Sequence, residues 1–251
     1  MRGTVPLERV DTEGGILAIE TSQARGSVAW SATPDAETVE LLFPVGLVHG
    51  REILPKIEEL RTRCGFDRQE IATVAVSAGP GSFTGARIGV SAGKALAYAL
   101  GCRVLGISSL ETIARNALTT SPALPSEASI AVVLDARRQL LYGARFRRAN
   151  DALQRESADC AADVSEYFAS LPAGTHLLGD GARTLPGVEK FDLLPEALDL
   201  PRAETVVTLA REQLTALAAG TAPPVEWTDP HALVPLYLRR TPAEEAREAK
   251  S

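Results

Sequence analysis

A glycine-rich turn, Ser77-Ala78-Gly79-Pro80-Gly81-Ser82-Phe83-Thr84-Gly85, separates two segments with different hydrophobic patterns. The segment before it, residues 71–77, is a short run of β-branched residues and alanine, which is typical of a buried strand. The segment after it, residues 86–100, has helical periodicity. Strand, glycine-rich turn and helix in this order predict parallel strands joined by crossover helices, and therefore an α/β fold.

Each half of the chain opens with a predicted β-hairpin. In the first half, apolar segments at 16–20 and 27–30 flank a polar turn; in the second, segments at 130–135 and 140–146 flank Ala136-Arg137-Arg138-Gln139. The repeated order predicts two lobes, each with a mixed sheet that opens with a hairpin and is flanked by helices. The predicted divisions are a flexible N-terminal segment at 1–15, an N-terminal lobe at 16–118, a C-terminal lobe at 119–240 and a charged tail at 241–251.

Two helices of the first lobe carry the most informative pattern. Residues 51–64 form a predicted amphipathic helix, and in the helix after the turn Gly85, Gly89 and Gly93 recur every four residues. A glycine inside a helix costs roughly 0.8–1 kcal/mol relative to alanine. Close approach of another backbone is the usual compensation for this cost. The glycine stripe therefore faces either the protein's own sheet or a helix of another chain.

The composition argues against several classes of protein. The net charge of −6 disfavours a broad nucleic-acid-binding face, so we expect any RNA to be held by another chain. The three cysteines are far apart and include no CxxC pair, which indicates a reducing compartment rather than a disulfide framework or a zinc knuckle. The sequence starts without a signal-peptide pattern and contains no apolar run of membrane-spanning length. These features predict a cytoplasmic protein that does not bind membranes.

The sequence offers few candidates for metal binding or catalysis. Its histidines, His49, His176 and His231, each lack a second histidine or a cysteine within one helical turn, so we predict surface or capping roles and no metal site. Ser82 lies on a strand-to-helix turn, but Pro80 and Thr84 occupy the positions where a hydrolase nucleophile elbow has glycine. No catalytic residue is predicted.

The turn could instead bind an anion weakly. A helix N-terminus presents unpaired N–H groups, although Ala86 and Arg87 replace the lysine and Ser/Thr of a phosphate-binding loop. The candidate anion- or nucleotide-contacting residues are Ser82, Thr84 and Arg87. Helix capping by Ser82 and Thr84, and a solvated Arg87, are the structural alternatives.

Several motifs resemble one family. The stretch from Ser77 to Gly89, together with Ile16-Leu17-Ala18-Ile19-Glu20-Thr21-Ser22 and Gly106-Ile107-Ser108-Ser109-Leu110-Glu111, is similar to the signature of TsaB, a bacterial protein needed for the threonylcarbamoyl modification of tRNA adenosine. Val133-Leu134-Asp135-Ala136-Arg137-Arg138 and Pro235-Leu236-Tyr237-Leu238-Arg239 also resemble that family. The resemblance extends from about residue 16 to residue 240 and is weakest between 151 and 228.

The resemblance implies an actin-like ATPase (RNase H-like) fold with two lobes. It also implies a non-catalytic scaffold that pairs with a TsaD-like transferase and, in a larger complex, with a TsaE-like ATPase. The partner interface would use Leu54, Ile57, Gly85, Ile88, Gly89 and Gly93, and the isolated chain would form a homodimer. It would contact tRNA only indirectly and have no cofactor of its own, with ATP or ADP possible only within the complex. Glu20 replaces an aspartate found in many TsaB-like sequences, which weighs further against a nucleotide role.

Three other functions remain open from sequence. A small-molecule kinase of the same fold would bind and hydrolyse ATP by itself. A glycoprotease-like peptidase would lose its activity in a Ser82→Ala variant. A scaffold with a different client, such as an acetyltransferase that acts on ribosomal proteins, would have the same sequence features.

Overall fold

The computed structural model describes residues 11–44, 46, 49–120, 124–221 and 232–239. The predicted tail at 241–251, and all but the last five residues of the predicted N-terminal segment, lie outside these ranges. None of the helices in the described part of the chain is long and apolar enough to span a bilayer.

The first sheet has five strands and contains the first predicted hairpin. β1 (Gly15–Glu20) and β2 (Ser27–Ser31) pair antiparallel, β3 (Val39–Leu42) adds to β2, and β4 (Ile71–Gly79) and β5 (Arg103–Ser108) continue the sheet in parallel from β1. The strand order is β3-β2-β1-β4-β5. Both central strands, β1 and β4, are buried almost throughout, which explains their continuous apolar sequence.

Helices cover one face of this sheet and link its parallel strands. α1 (His49–Cys64) and α2 (Phe83–Leu100) pack on the side of Leu17, Ile19 and Val76, and α3 (Ser109–Asn116) follows β5. Ser82 and Ser108 cap α2 and α3, and Gly101 ends α2 in the left-handed conformation. The predicted strand, glycine-rich turn and helix are confirmed, as is the amphipathic helix at 51–64.

The second sheet repeats the opening hairpin. β6 (Ser129–Asp135) and β7 (Leu140–Ala149) pair antiparallel around the turn at 136–139. β8 (Ala152–Arg155) and β9 (Cys160–Asp163) both pair with β7; then follow α4 (Val164–Ala169), β10 (His176–Leu178), α5 (Gly181–Thr184) and β11 (Asp192–Leu193). The strand order is β11-β10-β6-β7-β8, with β9 beside β7. The predicted two-lobed α/β fold is confirmed, and the short strands β8, β9 and β11 are additions to it.

The last helix departs from the predicted division at residue 119. α6 (Ala203–Ala218) falls within the range assigned to the C-terminal lobe, yet it packs against β1 and β2 of the first sheet. Its apolar residues, among them Val206 and Ala210, form one core with Ile16 and Ala18 on the sheet face opposite α1 and α2. Without α6 this apolar face of the sheet would be in contact with water. The first lobe is therefore completed by a segment from the second half of the chain.

Residues 232–239, which we call the strap, also return to the first lobe. Leu233 is fully buried in its core, and its carbonyl accepts a hydrogen bond from Lys94 Nζ (2.8 Å). Leu236 N donates to Ala78 O (2.8 Å), and Arg239 donates to Ala136 O (2.8 Å) in the second lobe. The strap therefore connects α2, the end of β4 and the turn after β6.

Candidate functional site

The glycine stripe of α2 faces the protein's own sheet. Gly85, Gly89 and Gly93 are all buried, and a Cβ atom added to any of them would lie less than 3.0 Å from another atom of the first lobe. The nearest atoms belong to Thr21 for Gly85 and Gly89, and to Val76 for Gly93. The assignment of these three glycines to a partner interface is therefore corrected, because the close backbone approach that they permit is to β4 and to the end of β1.

The other three predicted interface residues are less buried than the glycines. Leu54 on α1 is 63% exposed, while Ile57 and Ile88 are half-buried and pack against the first core. The helices meet nearby, since the position of a Gly50 Cβ would be 3.8 Å from Ile88 Cδ1. We call Leu54, Ile57 and Ile88 the outer face. Its role in docking stays a prediction.

The glycine-rich turn is fastened to the turn of the first hairpin. Ser82 N donates to Ser22 O (2.7 Å), Thr21 Oγ1 donates to Gly85 O (2.9 Å), and Gly85 N donates to Ser82 Oγ (3.2 Å). A Cβ atom on Gly81 would collide with Ser22 O, which explains the glycine there. Ser82 thus caps α2, and its hydroxyl accepts from the helix instead of meeting a general base.

The three candidate anion-contacting residues do not share one environment. Ser82 lines the cleft between the lobes, and Thr84 is exposed on the first turn of α2. Arg87 is also exposed, with its guanidinium carbon 4.5 Å from the centre of the Phe83 ring. Contact of these residues with a nucleotide stays a prediction.

The cleft has a volume of about 380 Å³ and is bounded by the turns of both hairpins. Gln23 and Ala24 contribute from the first hairpin, Gly81 from the glycine-rich turn, and Asp135 and Arg137 from the second hairpin. The remaining lining residues are Ser82, Leu134, Ala136, Tyr142 and Asp180. Its polar groups therefore come from segments that are far apart in the sequence.

Asp135 and Asp180 lie together in this cleft. Asp180 Oδ1 accepts from Asp135 N (3.1 Å), while the Asp135 carboxylate binds the Arg137 guanidinium (3.0 Å). Desolvation raises the pKa of Asp180, and the hydrogen bond from Asp135 N opposes this increase. One wall of the cleft thus combines two carboxylates with one neutralising arginine.

Glu20 lies beneath the first turn with no exposure to solvent. Its Oε1 accepts from Ser22 N (2.5 Å), whereas Oε2 and the hydroxyls of Ser22 and Ser77 are buried without a hydrogen-bond partner. Burial raises the pKa of Glu20 above its ordinary value. No group of three potential metal ligands occurs among the described residues.

The histidine prediction was wrong for His49. This residue is buried at the start of α1, and its Nε2 lies 2.9 Å from Gln23 O, so it anchors the first turn. His176 is half-buried on β10, and His231 lies outside the described residues. A backbone carbonyl as the partner leaves no sequence signal, which is why the role of His49 was not predicted.

A polar cluster, which we call the fork, joins the lobes near α3 and consists of Ser108, Glu111, Arg155 and Asp159. Arg155 on β8 binds Glu111 Oε2 (2.7 Å) and Asp159 Oδ1 (2.6 Å), and Ser108 Oγ donates to Asp159 Oδ2 (2.6 Å). Ser109 Oγ donates to Pro80 O in the glycine-rich turn. The fork and the strap therefore hold both sides of the cleft in a defined arrangement.

Comparison with known proteins gives matches over nearly the whole chain. Residues 47–193 match the family model described as TsaD, tRNA N6-adenosine threonylcarbamoyltransferase. Two proteins named tRNA threonylcarbamoyladenosine biosynthesis protein TsaB are similar: the Bacillus subtilis protein at 28% identity and the Escherichia coli protein at 29%, each over 91% of this chain and 96% of the relative.

Solved structures agree with these matches. The structure of YeaZ from Pseudomonas aeruginosa has a TM-score of 0.72 at 25% identity, and covers 90% of this chain and all of its own. A second Pseudomonas aeruginosa structure, described as an uncharacterized protein with similarity to peptidase YEAZ, has a TM-score of 0.74 at 24% identity over the same shares. The chain therefore belongs to the TsaB family of TsaD-related proteins.

Proposed function

We propose that this chain is a non-catalytic subunit in the biosynthesis of tRNA threonylcarbamoyladenosine and that it pairs with a TsaD-like transferase. The main support for the proposal is that the glycine-rich turn is held in place by its own hydrogen bonds. Ser82 caps α2, and Thr21 and Ser22 bind the turn on its other side. The hydroxyls of Ser82 and Thr21 are thus already used to hold the turn.

The outer face is the proposed docking site for the transferase. Leu54 is a large apolar residue exposed on α1, and Ile57 and Ile88 lie beside it at the junction with α2. Apolar side chains in such a patch lose contact with water when a partner helix packs on them. The same surface supports the homodimer expected for the isolated chain.

The proposal also includes the other partners and the localisation. A TsaE-like ATPase joins the complex, the chain works in the cytoplasm, and ATP or ADP binds only once the transferase is present. In this proposal the chain has no cofactor of its own.

Reconstitution tests the proposal. The chain, the TsaD-like protein of the same organism, and their mixture are assayed for tRNA threonylcarbamoylation with the ATPase and the carbamoyl donor supplied. Activity that needs both proteins, and that survives a Ser82→Ala substitution in this chain, supports a scaffold. Activity of the transferase without this chain would contradict it.

The peptidase alternative has one observation in its favour, the description of a similar structure as resembling a peptidase. It predicts peptide cleavage by the isolated chain that disappears in Ser82→Ala. Because Ser82 Oγ accepts a hydrogen bond from Gly85 N, we expect no such cleavage, and a fluorogenic peptide library provides the measurement.

A further inference from the structure

The chain passes from one lobe to the other beside the C-terminal end of α3. The first crossing follows the short helical turn Ala117–Thr119, which comes directly after α3. The second is the segment 200–202, which ends at the start of α6. Asn116, the last residue of α3, is buried, and its Nδ2 donates to Leu198 O (2.9 Å) and Leu200 O (3.0 Å). One side chain thus holds the two crossings together.

The fork lies at the other end of the same helix. Ser108 caps α3 and Glu111 belongs to its first turn, and both side chains bind residues of the second lobe. An α-helix rises 1.5 Å per residue, so Glu111 and Asn116 are about 7.5 Å apart along the axis of α3. The fork and the crossings are therefore both on α3. A rotation of the second lobe about this helix would change them little.

The strap joins the lobes at a different place, across the cleft. Leu236 N donates to Ala78 O (2.8 Å), and Leu236 O is 3.4 Å from the position of a Cβ atom on Gly79. Three residues later, Arg239 Nη1 donates to Ala136 O (2.8 Å). Ala136 lines the cleft from the second lobe, whereas Ala78 and Gly79 begin the glycine-rich turn that lines it from the first. The strap therefore runs from one wall of the cleft to the other.

Each end of the strap is anchored in a different lobe. Leu233 is fully buried in the core of the first lobe. At the other end, Arg239 lies near Tyr142 of β7: burial raises the pKa of the Tyr142 hydroxyl, and the charge of Arg239 opposes this increase. The backbone from Leu236 to Arg239 reaches at most about 11 Å when fully extended. The strap can therefore not follow a wide opening of the cleft without losing one of its contacts.

We infer that the strap is a latch that sets the width of the cleft, and that α3 is the axis about which the second lobe rotates when the latch is released. The hydrogen bond from Arg239 to Ala136 O is the contact that opens. The cleft volume of about 380 Å³ belongs to the latched state. A molecule that needs a wider cleft enters only after this contact breaks. The latch is a property of the isolated chain and goes beyond its proposed role as a partner subunit.

Distance distributions between the lobes test the latch. Nitroxide labels are attached to Ser91→Cys on α2 and Glu189→Cys in the second lobe, both exposed positions, in a full-length chain whose three native cysteines are replaced by serine. Double electron–electron resonance should give one narrow distribution when the strap is intact. Arg239→Met removes the donor, and loss of a hydrogen bond from a charged group should raise the open fraction at least about tenfold. A second population at another distance is therefore expected.

Two further variants separate the latch from general loosening of the fold. Arg239→Lys can still donate to Ala136 O and should keep the single distribution. Arg211→Met is the matched control, because Arg211 of α6 donates to Thr12 O and Gly14 O (2.8 Å each) within the first lobe. It should also keep the single distribution. Thermal unfolding verifies that each variant is folded, and Arg239→Gln, with its shorter side chain, replaces Arg239→Met if that variant does not fold.

Three results would overturn the inference. Two populations in the chain with an intact strap would show that the lobes are not latched. The unchanged distribution in Arg239→Met would show that other contacts set the cleft width. Equal broadening in Arg211→Met and Arg239→Met would show a general loss of order. Binding to the transferase is measured separately, and its absence would contradict the proposed function without affecting the latch.

Discussion

The two sides of the α1–α2 pair differ in what covers them. On α2, the side with Gly85, Gly89 and Gly93 lies directly against β1 and β4. On the opposite side, the outer face presents Leu54 to solvent. The glycines look like a docking motif in the sequence, but they serve the fold, whereas an isolated leucine with no distinctive pattern is the better candidate for docking. The comparison shows that small residues at helical spacing indicate close approach without saying which surface approaches.

The largest effect is expected on the glycine side. Gly89→Leu would place a large side chain where even a Cβ atom collides with Thr21, so the first lobe should not fold. Circular dichroism and thermal unfolding measure this result. Ser91→Leu, which adds the same side chain at an exposed position of α2, is the control and should change the free energy of unfolding by no more than about 0.5 kcal/mol. A folded Gly89→Leu variant that loses only partner binding would show that the glycine side contacts the partner.

A second prediction concerns Glu20, which lies on β1 next to the residue that the glycine side packs against. Its pKa is raised in the folded chain by burial, so the folded state holds the proton more tightly than the unfolded state. The stability that this group contributes is present at acidic pH and is lost as pH rises from about 4.5 through the folded-state value.

Glu20→Gln should therefore stabilise the protein increasingly as pH rises from acidic to neutral. The glutamine amide can donate where Oε2 has no partner, and satisfying a buried polar group contributes about 1–3 kcal/mol. Chemical denaturation across this pH range measures the difference, with Glu37→Gln on the surface as the control. A Glu20→Gln variant that is less stable at neutral pH would indicate a charged carboxylate with a function of its own.

A smaller effect is expected where the first turn meets α2. Thr21→Val keeps the shape of the side chain but removes the hydrogen bond from Oγ1 to Gly85 O, at a cost of about 1 kcal/mol. Thr21→Ser retains the hydroxyl, so it should keep this hydrogen bond and lose less unfolding free energy than Thr21→Val. A Thr21→Val variant as stable as the wild type, together with a loss of unfolding free energy in Thr21→Ser, would show that the methyl group, and not the hydrogen bond, matters at this contact.

Local sequence patterns were sufficient to predict most of the helices and strands. The hairpins, the strand before the glycine-rich turn and the helices α1 and α2 all have periodicities that depend only on neighbouring residues. The placement of α6 on the first sheet was not predictable in this way, since Val206 meets Ile16 across most of the chain length. The short strands β8 and β9 are rich in polar and small residues and carry no strong strand signal.

The candidate site was less predictable, because its residues also come from distant parts of the sequence. The cleft combines Gln23, Gly81, Arg137 and Asp180, and the sequence alone does not tell which turns meet. The fork from Arg155 to Glu111 and Asp159 likewise depends on the packing of β8 against α3. The role of Ser82 as a helix cap, by contrast, was recognised as an alternative from the sequence, because capping depends only on the next three residues.

The most direct test of the account is the affinity of a Leu54→Arg variant for the TsaD-like transferase, measured by titration calorimetry together with its melting temperature. Because Leu54 is 63% exposed, we predict an unchanged melting temperature and a loss of affinity of at least about tenfold, which corresponds to about 1.4 kcal/mol. Leu193→Arg, at a 43% exposed leucine of the second lobe, should leave both quantities unchanged. Wild-type affinity in Leu54→Arg would contradict the assignment of docking to the outer face.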